Sequence, residues 1–257
     1  MLHIHPVPAF RDNYIWVIHN QSNAVVVDPG NASPVIEFLA HNQLQLKAIL
    51  ITHHHSDHTG GVAQLCRWCE VPVYGPAAET IVTITHPLRE TDQINLPELP
   101  LHLTVLDIPG HTSGHIAYYG CEPFSMVFCG DTLFSCGCGR IFEGTFQQMY
   151  QSLQKLARLP DDTLIYCTHE YTLGNVAFAR AIDPDNSDLM DFERKAQQLR
   201  QQNTPTIPTA LKQERSINPF LRCEQPAIIA SAQKYAGKPL PDPIAVFTVL
   251  REWKNRC

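Results

Sequence analysis

Short apolar runs recur through the first two-thirds of the chain, and each stops at a glycine, a proline or a polar cluster. Residues 14–18 and 24–27 flank Asn20-Gln21-Ser22-Asn23, the pattern of two antiparallel strands joined by a turn. Asp28-Pro29-Gly30 closes the second strand. Ser33 is placed to cap a helix, with Pro34 at its first position and residues 35–40 as its continuation. Residues 48–52 read as a buried strand, 62–70 as a helix and 71–74 as a strand; 101–108 and 124–129 read as further strands. Residues 146–159 form an amphipathic helix with Met149, Leu153 and Leu156 on one face and Pro160 as its stop. Residues 163–167 are the last strand. Beyond Thr172 no strand-like run follows. Residues 175–182, 189–202, 226–236 and 244–254 read as helices, the last opened by an Asp242 cap and Pro243. This pattern predicts an α/β domain over residues 1–173 and an all-helical domain over 174–257.

Polar chemistry collects at the ends of the apolar runs. The strand at 48–52 delivers Thr52-His53-His54-His55-Ser56-Asp57-His58, and Gly60-Gly61 follows. The strand at 101–108 runs into Pro109-Gly110-His111, that at 124–129 into Gly130-Asp131, and that at 163–167 into Thr168-His169. The C-terminal ends of strands are where α/β proteins place their sites. Histidines scattered through a core would have no reason to fall there.

Imidazole nitrogen and carboxylate oxygen suit zinc or another first-row divalent metal. The candidate ligands are His53, His55, Asp57, His58, His111, Asp131 and His169. A tetrahedral metal takes about four ligands, so this set is too large for one ion and suits two. His53, His55 and His111 are expected to hold one, and Asp57, His58 and His169 the other. Asp131 would bridge them, since a carboxylate has two oxygens. Two neighbouring ions can share a hydroxide as nucleophile at neutral pH, which makes Asp57 and Asp131 the catalytic carboxylates. His54 alternates with its neighbours and should point away. His115 is expected to pack or to support a ligand.

Net charge narrows the partners. At −6 the chain lacks the basic surface of a non-specific nucleic-acid binder. Residues 1–8 show no basic and apolar leader, and no apolar run approaches the ~20 residues that span a bilayer. Nine cysteines, odd in number and mostly within apolar strands or beside glycines, suit reduced thiols in the cytoplasm. Cys66-Arg67-Trp68-Cys69 lies in a helical pattern with no second pair and reads as structural.

Thr-His-x-His-x-Asp-His followed by Pro-Gly-His, Gly-Asp and a late histidine resembles the metallo-β-lactamase superfamily signature. Over nearly the whole length the chain is similar to the glyoxalase II family. The likeness rests on Asp12-Asn13-Tyr14, residues 130–134, Cys136-Gly137-Cys138-Gly139-Arg140, Phe142-Glu143-Gly144-Thr145, residues 168–172, residues 218–222, Arg251 and Lys254. The resemblance implies an αββα sandwich followed by a helical domain. It also implies two divalent ions, zinc with iron or manganese as alternatives. The implied reaction is hydrolysis of S-D-lactoylglutathione to D-lactate and glutathione, the second step of methylglyoxal detoxification. Separately, the chain is expected to be a cytoplasmic monomer. Glutathione contacts would fall on Arg140, Phe142, Tyr171, Asn175, Arg251 and Lys254. Arg140 stands where lysine also occurs and Phe142 where tyrosine also occurs, so a hydroxyl contact would be lost or replaced. The competing readings are another hydrolase of the superfamily, such as a β-lactamase or phosphodiesterase, and a metal-binding protein without activity. β-Lactamase relatives commonly carry cysteine where this chain has Asp131.

Overall fold

The computed structural model describes residues 1–257. A first sheet is built from β1 (His3–Ala9), β2 (Asn13–His19), β3 (Asn23–Val27), β4 (Gln45–Leu50), β5 (Val73–Pro76) and β6 (His86–Leu88), in that order. Helix α1 (Ala32–His41) crosses from β3 to β4, and α2 (Ser56–Thr59) and α3 (Val62–Trp68) cross from β4 to β5. The β3–β4 and β4–β5 pairings are accordingly parallel, and β5–β6, joined by a loop, is parallel as well. The second sheet holds β7 (Gln93–Leu96), β8 (Leu101–Asp107), β9 (Ile116–Gly120) and β10 (Met126–Gly130). A small hairpin follows, β11 (Leu133–Phe134) with β12 (Gly137–Cys138). Helix α4 (Phe146–Leu156) then leads to β13 (Leu164–Cys167), which pairs in parallel with β10.

The central strands are buried on both faces, which is why they read as unbroken apolar runs. Along β2, Trp16 and Ile18 face the second sheet, while Ile15 and Val17 face the helices. Val35 and Leu39 of α1 and Val62 and Leu65 of α3 cover that outer face. Met149, Leu153 and Leu156 of α4 join the main core with the second sheet, as the amphipathic pattern predicted. The result is helix, sheet, sheet, helix.

The chain continues through α5 (Thr172–Ile182), α6 (Ser187–Gln201), β14 (Thr209–Ala210), α7 (Leu211–Ile217), α8 (Pro226–Ala236) and α9 (Pro243–Lys254). The expectation of no strand beyond Thr172 is corrected by β14, which adds antiparallel to β13 at the sheet edge. Two residues leave no periodicity in the sequence; the pairing is tertiary. The cap of α1 is Asn31, not Ser33: its side chain accepts from Ser33 N, and the helix starts at Ala32. Proline is tolerated in a first turn because those N–H groups lack helical partners anyway. No helix is long and apolar enough to cross a membrane.

Candidate metal centre and substrate cavity

Four strand ends meet at one edge of the sandwich. β4, β8, β10 and β13 lead into His53–His58, His111, Asp131 and His169, respectively. The turn after β10 needs Gly130, which has φ +48°; a Cβ there would lie 2.4 Å from Thr52 Oγ1 and 2.8 Å from the His115 ring. That close approach brings Asp131 against the histidine tract.

All seven candidate ligands converge. His55 Nδ1 lies 3.1 Å from both His53 Nε2 and His111 Nε2. On the other side His58 Nε2 and His169 Nε2 lie 3.6 and 3.5 Å from Asp57 Oδ2. Asp131 stands between the groups, with Oδ1 3.5 Å from His58 Nε2 and Oδ2 3.5 Å from His111 Nε2 and 3.3 Å from His169 Nε2.

The outer ring nitrogens of four of these histidines have acceptors of their own, which leaves the inner ones to face the centre. His111 Nδ1 faces the Arg140 carbonyl at 2.7 Å, and a carbonyl only accepts, so the proton sits on Nδ1. His169 Nδ1 donates to Asp12 Oδ1 at 2.8 Å and His58 Nδ1 to Asp28 Oδ2 at 3.0 Å. Thr52 Oγ1 donates to Asp28 Oδ2 at 2.7 Å, which leaves it to accept from His53 Nδ1 at 3.0 Å. Asn13 Nδ2 donates to Asp57 Oδ2 at 3.1 Å.

Burial lowers the pKa of His53, His55 and His111, so these rings are neutral donors. Burial pushes His58 and His169 the same way, but Asp131 beside both, helped by Asp28 at His58 and Asp12 at His169, outweighs it and raises them. Burial would raise Asp131, yet His169 and His58 hold it well below the usual carboxylate range. His58 Nε2 and Asp131 Oδ1 are buried without a hydrogen-bond partner. Neutral His53, His55 and His111 converge with His58 and His169 on an ionised carboxylate, a donor set that divalent cations fit in competition with the protons that Asp131 favours on His58 and His169.

Asp28, Thr52, Asp12 and Asn13 were not among the expected site residues. Asp28 follows β3 directly, so the strand-end rule that found Asp131 could have found it. His115 stacks on His53, centroids 4.6 Å apart and planes at 19°, and its Nε2 accepts from Asp131 N at 3.2 Å. His54 turns away from the cluster, between Glu79 and Glu143.

The centre opens into a cavity of about 1050 Å³. Arg140, Phe142, Tyr171, Asn175, Arg251 and Lys254 all line it, together with His111 and Asp131. Tyr171 stacks on the His169 ring, 4.7 Å between centroids and almost parallel at 1°. Phe142 is 62% exposed, with its ring 5.7 Å from His55 and 5.3 Å from His111. Lys254 Nζ donates to Gly174 O at 2.8 Å. Arg251 is 3% exposed; its Nη1 donates to Cys138 O at 2.7 Å and its guanidinium lies over the Phe220 ring.

Residues 9–169 match the family model described as the metallo-beta-lactamase superfamily, and residues 170–257 that described as hydroxyacylglutathione hydrolase C-terminus. The chain is 58% identical over 255 residues to a hydroxyacylglutathione hydrolase of Nitrosomonas europaea, covering 99% of this chain and 96% of that one. It is 53% identical over 257 residues to a hydroxyacylglutathione hydrolase of Vibrio vulnificus, covering 99% of both. Among solved structures, ETHE1 from Myxococcus xanthus shares the fold, with a TM-score of 0.65 at 23% identity over 99% of this chain and 98% of that one. TTHA1623, solved in a di-iron-bound form, is 27% identical with a TM-score of 0.54, covering 64% of this chain and 91% of that one.

Proposed function

The chain belongs to the hydroxyacylglutathione hydrolase family of the metallo-β-lactamase superfamily, and we infer that it hydrolyses S-2-hydroxyacylglutathiones, S-D-lactoylglutathione foremost, to a 2-hydroxy acid and glutathione. One juxtaposition carries the reading. The convergent groups His53-His55-His111 and Asp57-His58-His169, with Asp131 oxygens 3.3 to 3.5 Å from His58, His111 and His169, open into a cavity that also holds Arg140, Arg251 and Lys254. Glutathione bears carboxylates at both ends, and cations in a cavity suit them.

Two divalent ions fit the donors, zinc first, with iron or manganese accepted by the same atoms. His53, His55 and His111 would hold one; Asp57, His58 and His169 the other; Asp131 would serve both. When bound, such ions polarise a carbonyl and lower the pKa of water to near neutral. Asp28 and Asp12 keep the ligand rings in the required tautomer. Asn13 holds Asp57 through Oδ2, which leaves Oδ1 to orient a water toward the thioester carbonyl. The leaving group is a thiolate whose acid has a pKa near 8.5, so no strong general acid is required. Phe142, having no hydroxyl, offers the substrate an apolar ring face at the mouth of the site.

Residues 1–173 carry the metal centre in this reading, and 174–257 supply Asn175, Arg251 and Lys254 to the glutathione side. All nine cysteines are free thiols, which supports a cytoplasmic, reducing location. We further propose that the enzyme acts as a monomer. The test is thiol release from S-D-lactoylglutathione by metal-loaded native and Asp57→Asn protein. Native enzyme should release thiol and the variant should be severely slowed. Metal-loaded native protein that releases none would end this reading.

A further inference from the structure

His54 is the one imidazole of the tract turned away from the metal cluster, and it is not idle. Its Nδ1 lies 3.0 Å from Glu79 Oε2 and its Nε2 3.1 Å from Glu143 Oε1. Glu79 is nearly inaccessible, with a side chain 2% exposed, and it also accepts from the Thr112 hydroxyl. Glu143 takes Ser113 N at 3.1 Å and Ser113 Oγ at 3.2 Å on its other oxygen. The two ring nitrogens of His54 therefore face carboxylates from two distant parts of the chain.

Glu143 lies in the 139–145 loop, which carries Arg140 and Phe142 over the centre. Most ties of that loop run to a single neighbouring segment, 110–113. Phe142 N donates to His111 O at 3.1 Å, and Arg140 O accepts from His111 Nδ1. Gly144 sits against Gly110 so closely that a Cβ on it would lie 2.6 Å from Gly110 Cα. The Glu143–His54 contact reaches across instead to the segment that bears His53 and His55. The ends of the loop are anchored, Gly139 N on Thr132 O at 3.1 Å and Thr145 in the cap of α4; between those ends Glu143–His54 is the one polar contact that reaches beyond 110–113.

We propose that His54 is a positioning residue: by holding Glu143 it straps the 139–145 loop across the mouth of the metal centre and so fixes Phe142 and Arg140 against the substrate. The strap rests on the assignment of those two residues as glutathione-thioester contacts. It acts on substrate binding and not on the chemical step, because His54 supplies no atom to the centre. This gives the tract a division of labour, with His53 and His55 turned inward to the metals and His54 turned outward to the loop.

The test compares native holoenzyme with His54→Ala, Glu143→Ala and the double variant. KM for S-D-lactoylglutathione should rise roughly 3- to 10-fold in each single variant, the modest range expected of half-exposed contacts. kcat and the metal content by elemental analysis should stay at the native level. The double variant should be no worse than the poorer single, since both remove one strap. Independently of activity, backbone amide exchange across residues 139–145 should quicken in His54→Ala protein, that of Phe142 N above all. Loss of metal from His54→Ala would show instead that His54 braces the ligand backbone and would overturn the proposal. So would unchanged exchange with unchanged KM, or additive effects in the double variant. Inactive native enzyme with faster exchange in the variant would sink the thioesterase reading while leaving the strap intact.

Discussion

Asp28 grips Thr52 at two points, taking the backbone N–H on Oδ1 and the hydroxyl on Oδ2, each at 2.7 Å. The same Oδ2 accepts from His58 Nδ1. One buried carboxylate thus sets the tautomer of His58 directly and of His53 through Thr52, one residue from each donor set.

Replacing Asp28 should therefore weaken metal binding without removing a ligand. Asp28→Asn puts an amide N–H₂ where two donors already point, so at least one bond becomes a clash of donors. Metal affinity should fall about 10- to 100-fold, the usual cost of losing a partner of a ligating histidine. Thr52→Val should show a smaller loss confined to the His53 side. Competition with a chelator of known affinity measures both. An Asp28→Asn protein that holds its metals as tightly as native would refute the relay.

Asp131 is the only candidate ligand with oxygens close to both donor groups. Elemental analysis of native protein purified without chelator should approach two ions per chain. Asp131→Ala should lose both, whereas His111→Ala should keep the ion on the Asp57 side. A native stoichiometry of one with full activity would contradict the shared-ligand arrangement.

How far these residues could be read from the chain depended on whether their signal is local. His53, His111, Asp131 and His169 were legible because each follows an apolar run, and the run itself marks a buried strand. Asp28 obeys the same rule, but Asp-Pro-Gly also reads as an ordinary turn, which hid it. His54 was legible only as a ring pointing elsewhere, because its partners Glu79 and Glu143 are distant in sequence. β14 is two residues long and exists only because β13 offers an edge. Arg251 shows the opposite problem: a basic residue in a last helical turn reads as exposed, yet packing against Phe220 and Cys138 buries it.

Arg251 and Lys254 should separate in mutation for that reason. Lys254→Ala should raise KM with little change in kcat or Tm, the mark of lost uniform binding. Arg251→Ala removes a buried cation that holds the β12 carbonyl, so it should raise KM and also lower stability by about 1.5–3 kcal/mol. Burial, with Arg251 beside it, lowers the Lys254 pKa from its ordinary value. The ammonium is lost as pH rises through that lowered value, so native KM should climb below the ordinary lysine range near 10.4. Lys254→Arg, which stays charged, should flatten the climb. A KM profile identical in native and Lys254→Arg protein would remove Lys254 from substrate binding.

Glu214 carries the last prediction. It is fully buried in α7, and its carboxylate collects four donors. Oε1 accepts from Thr209 Oγ1 at 2.8 Å and Ser135 Oγ at 3.2 Å; Oε2 accepts from Cys136 N at 2.8 Å and Asn218 Nδ2 at 3.0 Å. It pins the turn between β11 and β12 to β14 and α7, and so seats the helical segment beside the wall that holds Asn175. Truncation to alanine orphans all four donors and opens a cavity, which should cost about 3–5 kcal/mol and lower Tm accordingly. Glutamine is different. Its carbonyl can replace Oε2, and its N–H₂ can replace Oε1 if the Ser135 and Thr209 hydroxyls turn to accept. Burial raises the Glu214 pKa above 4.5, more than its donors lower it. The folded protein therefore binds this proton more tightly than the unfolded chain does. That contribution is present in full below the unfolded value near 4.3 and is lost as pH rises through the raised folded one. Glu214→Gln should match native stability in acid and gain on it as pH rises toward neutrality. Denaturant unfolding of both proteins across that range reads the difference directly. A native advantage that widens with pH would mean that the four donors, not burial, decide the charge of Glu214.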